Sequence, residues 1–570
     1  MIFCAVISAG VDPEGTEERF LFATNPFHTG AGGSPANTPA YGRLLQPANF
    51  ERSIASGKLI FGLTEIGYGE CVIANEDGAH DVLMTYAVDG RDFVLWAVDP
   101  GNTASALYES FPSDGWVQIF QCTMQSITGD GSVLRVRLRE QFFELNERVC
   151  PTFLGTGEDE GTADMVGQPK PMVFGSAYNA SPVLLDPAYL TYLVSATGYV
   201  FGHHAKDSGS VIARDVNDNE EVLVLEPIPG GGFIYRPARL DEIDVAVGHY
   251  RTDCDAGMIR LGSPPVGQVT VDAAARTVVD ALTTTTDNPA DVIKDVLGWA
   301  GIATSGVLSR IDEDDFDDLA TWADTESSRV GYYVRDLSTT RAKVISDLAA
   351  SIGAWIGADR LGKFRTAIVI DPADMTSTLS IGEDDVISIR RVVSGDPGKG
   401  VPYSTITQKY PRNWTPQSSG LAGVVPPAVR KEVAEQFPLS AVTVCAQLSS
   451  SPPATVPVTT QFLKSPDYLV ESYGAGQRVT STGALVASPP ASGAQFAALL
   501  GVPRDWIEVV LPLRIADIEA VDIGGCVTVM HPRFGLAYGT PGFENGKQFM
   551  VVAIRYELSG SPTATLTLWG

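Results

Sequence analysis

The sequence predicts a mainly β, multidomain chain with α+β insertions: two β domains flanking a β-rich block and a small α/β domain. Three observations carry this. Short β-prone runs broken by Gly, Asp and Pro clusters fill residues 1–146 and 376–570. Apolar residues at helical spacing concentrate between residues 289 and 352. The length, 570 residues, allows about four domains at the usual ~150 residues each. The boundaries read as 1–150 for the first β domain, 151–270 for a connector and β-rich insertion, 271–375 for the α/β domain, and 376–570 for the second β domain. Pro/Ser-rich insertions interrupt that last part at about 411–500.

In the first β domain, Ile2 to Ser8 and Arg19 to Ala23 read as paired strands, followed by Leu59 to Leu63, Glu70 to Ala74 and Asp92 to Val98. Trp116 to Ile127 and Ser132 to Leu138 flank Thr128-Gly129-Asp130-Gly131, a turn whose glycines admit positive φ, which predicts a hairpin. Asp77-Gly78 and Asp89-Gly90 read as tight strand-to-strand connections. In the β-rich block the candidate strands are Tyr189 to Val194, Tyr199 to His203, Glu221 to Leu225 and Phe233 to Tyr235, with Gly230-Gly231-Gly232 as a turn. Met258 to Ala273 reads as two strands around a Pro-Pro-Val-Gly turn.

Asn288 and Pro289 form an N-cap and first helical residue, and Val292, Ile293, Val296 and Leu297 recur at helical spacing, so a helix is predicted to Trp299. A second spans Phe316 to Ala323. A third begins near Thr339 and buries Ile345, Leu348, Ala349 and Ile352 before Gly353, then feeds Ala354 to Ile356, a turn at Asp359 to Gly362, and the strand Lys363 to Ile370. Strands follow at Val386 to Val393 and Ser404 to Gln408. Pro411 to Pro427, Leu448 to Val458 and Ala487 to Gly493 read as loops, with a short helix near Val429 to Phe437. Trp506 to Leu513, Cys526 to Met530, Phe549 to Tyr556 and Ala564 to Trp569 alternate as closing strands.

One stretch, Gly161 to Asp186, sets Gly167, Pro169, Pro171, Gly175 and Pro182 around a short apolar run and places Lys170 and Asn179 among them. It reads as turn, buried strand and turn, a structural junction between the first β domain and the next block. The candidate junction residues are Gly167, Lys170, Pro171, Gly175, Asn179 and Pro182.

Composition narrows the chemistry. Forty basic residues against 68 acidic ones give a net charge of −28, which disfavours a surface built to hold nucleic acid by counterion release. The candidate basic spots, Arg390-Arg391 and Arg430-Lys431, are too few. The seven cysteines (Cys4, Cys71, Cys122, Cys150, Cys254, Cys445, Cys526) are scattered, without zinc-ribbon or CxxC spacing, and read as small buried hydrophobes. The amino terminus lacks the basic region of a signal peptide, and no run has the ~18 apolar residues of a membrane helix.

The acidic run Ile311 to Asp318 fails the EF-hand pattern, with Asp317 where Gly is required and Ala323 where Glu is required, so it reads as a solvated helix start favoured by the dipole. His203 and His204 are adjacent and point to opposite faces of a strand, unsuited to one metal. Cys71 opens a strand and His80 lies beyond an Asp-Gly turn, which argues against a nucleophile and base. Gly32-Gly33 and Gly230-Gly231-Gly232 match no phosphate-binding loop. No catalytic residue, cofactor site or metal site is assigned.

A series of phrases in order resembles the tail-tip, or baseplate hub, proteins of long-tailed bacteriophages and related prophage tails. The series comprises GRLLQPANFERSI (Gly42 to Ile54), GYGECVIANEDG, AVDGR, FLGTGEDEGTADMVGQPKPMVFGSAYNASPVLLD, MIRLGSPPVGQVTVDA, VGYYVRDLSTTRAKVISDLAASIGAWIGADRLGKF (Val330 to Phe364), QKYPRNWTPQSSGLAG, DIGGCVTVMHPRFGL and FMVVAIRYELSGSPTATLTLWG. The resemblance implies that residues 1–150 and 376–570 form two tail-tube-like β-barrels, with the chain as a homotrimer that adapts a sixfold tube to a threefold tip. It also implies distal tail or tube, tape-measure and central fibre or spike proteins as partners. DNA would pass through the lumen without specific binding, and like-charge repulsion from an acidic wall would keep it from sticking. The location implied is the distal end of the virion tail, after assembly in the host cytoplasm. Some tail-tip proteins bind an iron–sulfur cluster through four cysteines; the spacing here does not show that set. A tail-associated cell-wall hydrolase and a carbohydrate-binding adhesin are the rival readings.

Overall fold

In a computed structural model, the described residues are 1–196, 224–225, 244–275, 287–299, 310–392, 402–417, 431–444, 467–471, 492–531 and 546–570, short gaps within these spans aside. The chain is mainly β. At the amino end, β1 (Ile2–Gly10) pairs with β2 (Glu17–Ala23), which continues to β4 (Pro39–Tyr41) and β3 (Phe27–His28). The other strands of this end are β5 (Leu44–Gln46), β6 (Phe50–Ser53), β7 (Gly62–Leu63), β8 (Glu65–Tyr68), β9 (Cys71–Ala74), β10 (Asp92–Val98), β11 (Val117–Gly129) and β12 (Val133–Arg139), with one helical turn, α1 (Ala106–Glu109), between β10 and β11. Among the described residues, nine of these strands form one sheet in the order β3-β4-β2-β1-β10-β11-β12-β9-β5.

The expected hairpin is β11–β12. Its turn closes because the Asp130 carboxylate accepts from the backbone N–H groups of Ser132 and Val133 at 3.1 Å each, while Gly131 takes φ +88°. The expected pair of strands at the amino terminus is also present, as is β10. Asp77-Gly78 does not join two strands: Gly78, at φ +66°, leads into a 3₁₀ turn, Asp81–Met84.

Strands β6, β7 and β8 leave the amino-terminal sheet. β6 pairs antiparallel with β30 (Lys547–Glu557), Phe50 opposite Tyr556 and Arg52 opposite Ile554, and with β8 on its other side. β30 belongs to the sheet of the carboxyl end, ordered β23 (Ser377–Ile381), β29 (Cys526–Val529), β30, β31 (Thr563–Trp569), β28 (Trp506–Pro512), β24 (Ser388–Arg391). β7 pairs in parallel with β21 (Ala354–Ala358), which also pairs with β22 (Phe364–Ile368). Strands β6 and β7 therefore join the amino-terminal part to both other parts of the molecule.

The two large sheets share one continuous apolar core that contains Phe22, Phe50, Phe93 and Phe120 together with Val527, Phe549, Leu566 and Trp569. Phe50 is its crossing point. Its ring stacks on Phe120 of β11 at 5.1 Å and 15°, and lies 5.6 Å from Tyr68 and 6.0 Å from Tyr556. Beside it Arg52, 1% exposed, places its guanidinium 2.9 Å from the Asp522 carboxylate. The Asp359 carboxyl is raised above the usual range, first by burial and next by the Asp522 charge.

The α/β part follows the sequence closely. α2 (Pro289–Trp299) starts at Asn288, whose side chain accepts from Ala290 N at 3.0 Å and donates to Ala320 O in α3 (Glu313–Thr325) at 3.1 Å. α4 (Arg341–Ile352) is capped by Thr340, which accepts from Lys343 N, and ends at Gly353 with φ +77°. Val344, Ile345, Leu348 and Ile352 bury one face of α4 in a second core with Phe316, Leu319 and Ile356.

Between these parts, β13 (Met172–Ala180) is central to its surroundings. It pairs with β19 (Val271–Ala274) and β20 (Gly331–Val334). β14 (Val183–Asp186), β15 (Thr191–Leu193), β16 (Val224–Leu225), β17 (His249–Asp253) and β18 (Met258–Leu261) form a neighbouring sheet in the order β14-β15-β18-β17-β16. The predicted hairpin over Met258 to Ala273 is corrected: its two strands exist but belong to different sheets, because β19 finds its partner in β13. β25 (Thr405–Tyr410) makes a small sheet with β26 (Leu439–Val444) and β27 (Asp467–Glu471), two strands from the part expected to hold insertions, and a helix, Ser492–Leu500, begins at the end of the third stretch read as loop. The expected strands at Tyr199 to His203 and Phe233 to Tyr235, the turn Gly230-Gly231-Gly232, and residues 429, 430, 432 and 433 of the helix expected near Val429 to Phe437 lie outside the described residues.

Asp522→Asn leaves the Arg52 cation buried without its closest carboxylate. The expected cost is about 3–5 kcal/mol of stability, from removing one partner of a buried pair. It should appear as a lowered thermal unfolding midpoint, and an unchanged midpoint would show that Arg52 is satisfied without Asp522.

Candidate functional site: the 161–186 junction

The stretch Gly161 to Asp186 folds as a capped loop, then β13, then a turn into β14. Its first half is closed by Glu160: one carboxylate oxygen accepts from Leu154 N at 2.9 Å and the other meets Lys170 Nζ at 2.5 Å. Lys170 is 8% exposed, and its ammonium also lies 5.4 Å from the centre of the Phe153 ring. The Lys170 hydrogen bond holds the Glu160 carboxyl below its usual range. Since that group is depressed on folding, its contribution is present above the ordinary carboxylate range and is lost as pH falls through the folded value.

Gly167 takes φ +79°, donates to Phe153 O at 3.0 Å, and faces open space. Pro171 supplies the carbonyl that accepts from Ala196 N at 2.8 Å, tying the start of β13 to the end of β15. Gly175 takes φ +62° where β13 crosses β20, and a Cβ there would lie 2.4 Å from Val330 O. A side chain at Gly175 is thus excluded both by the backbone conformation and by the neighbouring strand. Pro182 is buried in the turn to β14, next to Ser181, whose carbonyl accepts from the Tyr333 hydroxyl at 2.5 Å.

Asn179 is fully buried and takes φ +57°, a left-handed conformation that Asn tolerates better than most residues. Its Nδ2 donates to Asn413 Oδ1 and to Thr415 O, both at 2.8 Å. Trp414 N donates to Tyr178 O at 3.2 Å, and the Trp414 ring lies 4.9 Å from Tyr332. The Arg412 guanidinium covers the Trp414 ring at 4.3 Å. Residues 412–415 therefore strap the end of β13. Sequence reasoning missed this strap by reading Pro411 to Pro427 as loop; an Asn-Trp pair among prolines was the available signal. The structure brings Gly175 and Asn179 together on β13 and holds Lys170 in a separate contact with Glu160, all within one chain.

Elsewhere the residues weighed for chemistry are engaged otherwise. Cys71 is fully buried in the first core, and burial pushes its thiol up to about 12, the reverse of what an activated nucleophile needs. In the acidic run, Glu313 meets Lys294 at 2.8 Å and Asp315 meets Arg365 at 2.7 Å, so ion pairs occupy two of the carboxylates. Arg390 and Arg391 pair with Glu508 and Asp505, each at 2.5 Å. Among the described residues there is no group of three or more His, Cys, Asp or Glu able to hold a metal ion. No helix of the described residues is long and apolar enough to cross a membrane. His203, His204, Cys254, Cys445 and Arg430 lie outside the described residues.

No protein-family model matches the chain, and no curated protein matches it. Similar solved structures include the 43 kDa tail protein of prophage MuSo2 from Shewanella oneidensis, at 10% identity and TM-score 0.33, covering 99% of this chain and 98% of that one. The tail protein from Neisseria meningitidis MC58 is similar at 9% identity and TM-score 0.34, covering 100% and 96%. A chain of the virion of a native gene transfer agent particle is similar at 12% identity and TM-score 0.36, covering 75% and 91%. At such scores the functional reading rests on the chain's own residues.

Gly175→Ala and Gly167→Ala separate conformation from contact. Both force a side chain into a left-handed backbone, a cost of about 1–3 kcal/mol. Only the first also meets a carbonyl oxygen, so Gly175→Ala should lower the unfolding midpoint clearly more than Gly167→Ala. Equal shifts would show that β13 and β20 part readily at this crossing.

Proposed function

We propose that the chain is a structural protein of a phage-type tail, acting at the tail tip as a baseplate hub. The observation that carries this reading is the ordered series of hub-like phrases from Gly42 to Gly570. The architecture supports it: a large β sheet at each end of the chain joined through a common core suits a subunit that presents two tube-like barrels to one ring. Three copies would then offer six barrels to a sixfold tube while keeping threefold symmetry below. The net charge of −28 supports a lumen along which DNA slides without adhering. The partners of such a hub are the tube or distal tail protein, the tape measure and a central fibre or spike.

The reading is tested by the mass of the protein in purified tails, where three copies per tail are expected. A stable monomer or hexamer would overturn it. A chain cut before Phe549 loses β31 and nearly all of β30, and with them the partner strands of β6, β28 and β29. Tail assembly, followed by electron microscopy of lysates, should be abolished; infectious tails from the shortened chain would refute the plan of two barrels sharing a core.

A further inference from the structure

The first sheet carries a buried histidine that the hub reading does not use. His80 stands at the head of the 3₁₀ turn Asp81–Met84 and is 7% exposed. Its ring meets Phe22 of β2 edge-on at 5.0 Å and 86°, and Tyr41 of β4 at 4.7 Å and 66°. Its Nε2 is buried without a hydrogen-bond partner among the described residues. The loop around it is folded back by short-range bonds: His80 N donates to Asn75 Oδ1 at 3.0 Å, Asn75 Nδ2 donates to Asp81 Oδ1 at 2.7 Å, and Leu83 is fully buried. The ionisable groups around it are Arg43 from the β4–β5 connection, Asp77 and Asp81 from the loop itself, and the Tyr41 hydroxyl. Arg43 and Asp77 form their own ion pair at 2.6 Å.

We propose that His80 is a proton-sensitive pin: neutral, it holds the 75–84 loop against the first sheet, and protonated it lets that loop lift. A neutral imidazole suits a site between two aromatic rings. A proton added to the ring creates a cation with an N–H at a buried nitrogen that has no acceptor. The neighbouring charges do not reverse this. Burial first, and then the Arg43 cation, lower the proton affinity of His80 below its ordinary value, and Asp77 offsets this only in part. Asp77 is not the trigger, because its hydrogen bond to Arg43 holds its carboxyl far below the usual range.

The direction of the response follows. His80 has a folded value below the unfolded 6.5, so its contribution to the closed loop is complete above the unfolded value. It is lost as pH falls from there through the folded value, because the open form takes up the proton first. Opening uncovers Leu83 and the Phe22 ring beside the already exposed Val82 and Met84. The end of the first sheet would then present an apolar surface in mild acid and not at neutral pH.

Hydrogen–deuterium exchange of the full chain at about pH 7.5 and about pH 5.5, corrected for intrinsic rates, tests this. Protection of the 75–84 peptide should fall severalfold, up to the limit of about tenfold that one proton allows over this interval, in the native protein and hold nearly constant in His80→Phe, which keeps the ring packing without the proton. The β11–β12 hairpin peptide reports whether the first sheet is intact. Should His80→Phe lose that hairpin's protection, His80→Gln supplies the non-titrating comparison. Equal acid response in native protein and variant, or none in the native protein, would overturn the pin.

Discussion

The pairing of β6 with β30, sealed by Arg52 on Asp522, is the constraint on which the rest of the architecture depends. These partners lie 470 residues apart in sequence, so closing them orders most of the chain. The closure is held by three different interactions at one place. Backbone hydrogen bonds join the strands, the Phe50 ring bridges Phe120 and Tyr556, and the Arg52 cation needs Asp522 because it is almost wholly removed from water. The pair by itself contributes little net stability once desolvation is counted. Its effect is on specificity, since any register that moved Arg52 one residue along β6 would face it away from Asp522.

From that joint the segment continues into the α/β part. β7 adds to β21 in parallel, Thr64 N donates to Ile356 O at 2.8 Å, and Leu63 N donates to Ser346 Oγ at 3.2 Å. Gly357 is required where Thr64 passes, and Gly524 is required where the Trp355 ring lies. The described residues of this segment thus touch the amino-terminal core and the carboxyl-terminal sheet at β6 and then the helical unit at β7. The glycines mark where the backbones come too close for a side chain.

What the sequence made legible follows the range of the interaction. The helices α2 to α4 were readable because Asn288, Thr340 and Gly353 act on their own turns, and the hairpin β11–β12 because its turn chemistry is local. The closing strands were readable from alternation. What was not readable was partnership at long range: β6 is too short to declare a partner, β19 joins β13 instead of its neighbour in sequence, and the 412–415 strap lies in a stretch whose prolines signal loop. At the junction the turn, strand and turn were readable from Gly and Pro, whereas the positive φ of Gly175 and Asn179 falls inside the strand itself. Nothing in the sequence said that Lys170 would meet Glu160 or that Asn179 would meet Asn413.

These contacts also bear on how the molecule moves. Domains in one chain ordinarily shift against one another when the surface between them is small and polar. Here the core that fills the amino-terminal sheet is the same one that fills the carboxyl-terminal sheet, and the strand that crosses between them is hydrogen-bonded on both sides. A hinge between the sheets would break a ladder, separate the Phe50 and Phe120 rings and strip Arg52 of its carboxylate at once. The two sheets therefore behave as one rigid body. Local freedom is left to loops that do not cross the joint, of which the His80 loop, pinned by a ring and a few short-range bonds, opens by withdrawing only Leu83 from the shared core and leaves the β6–β30 joint in place.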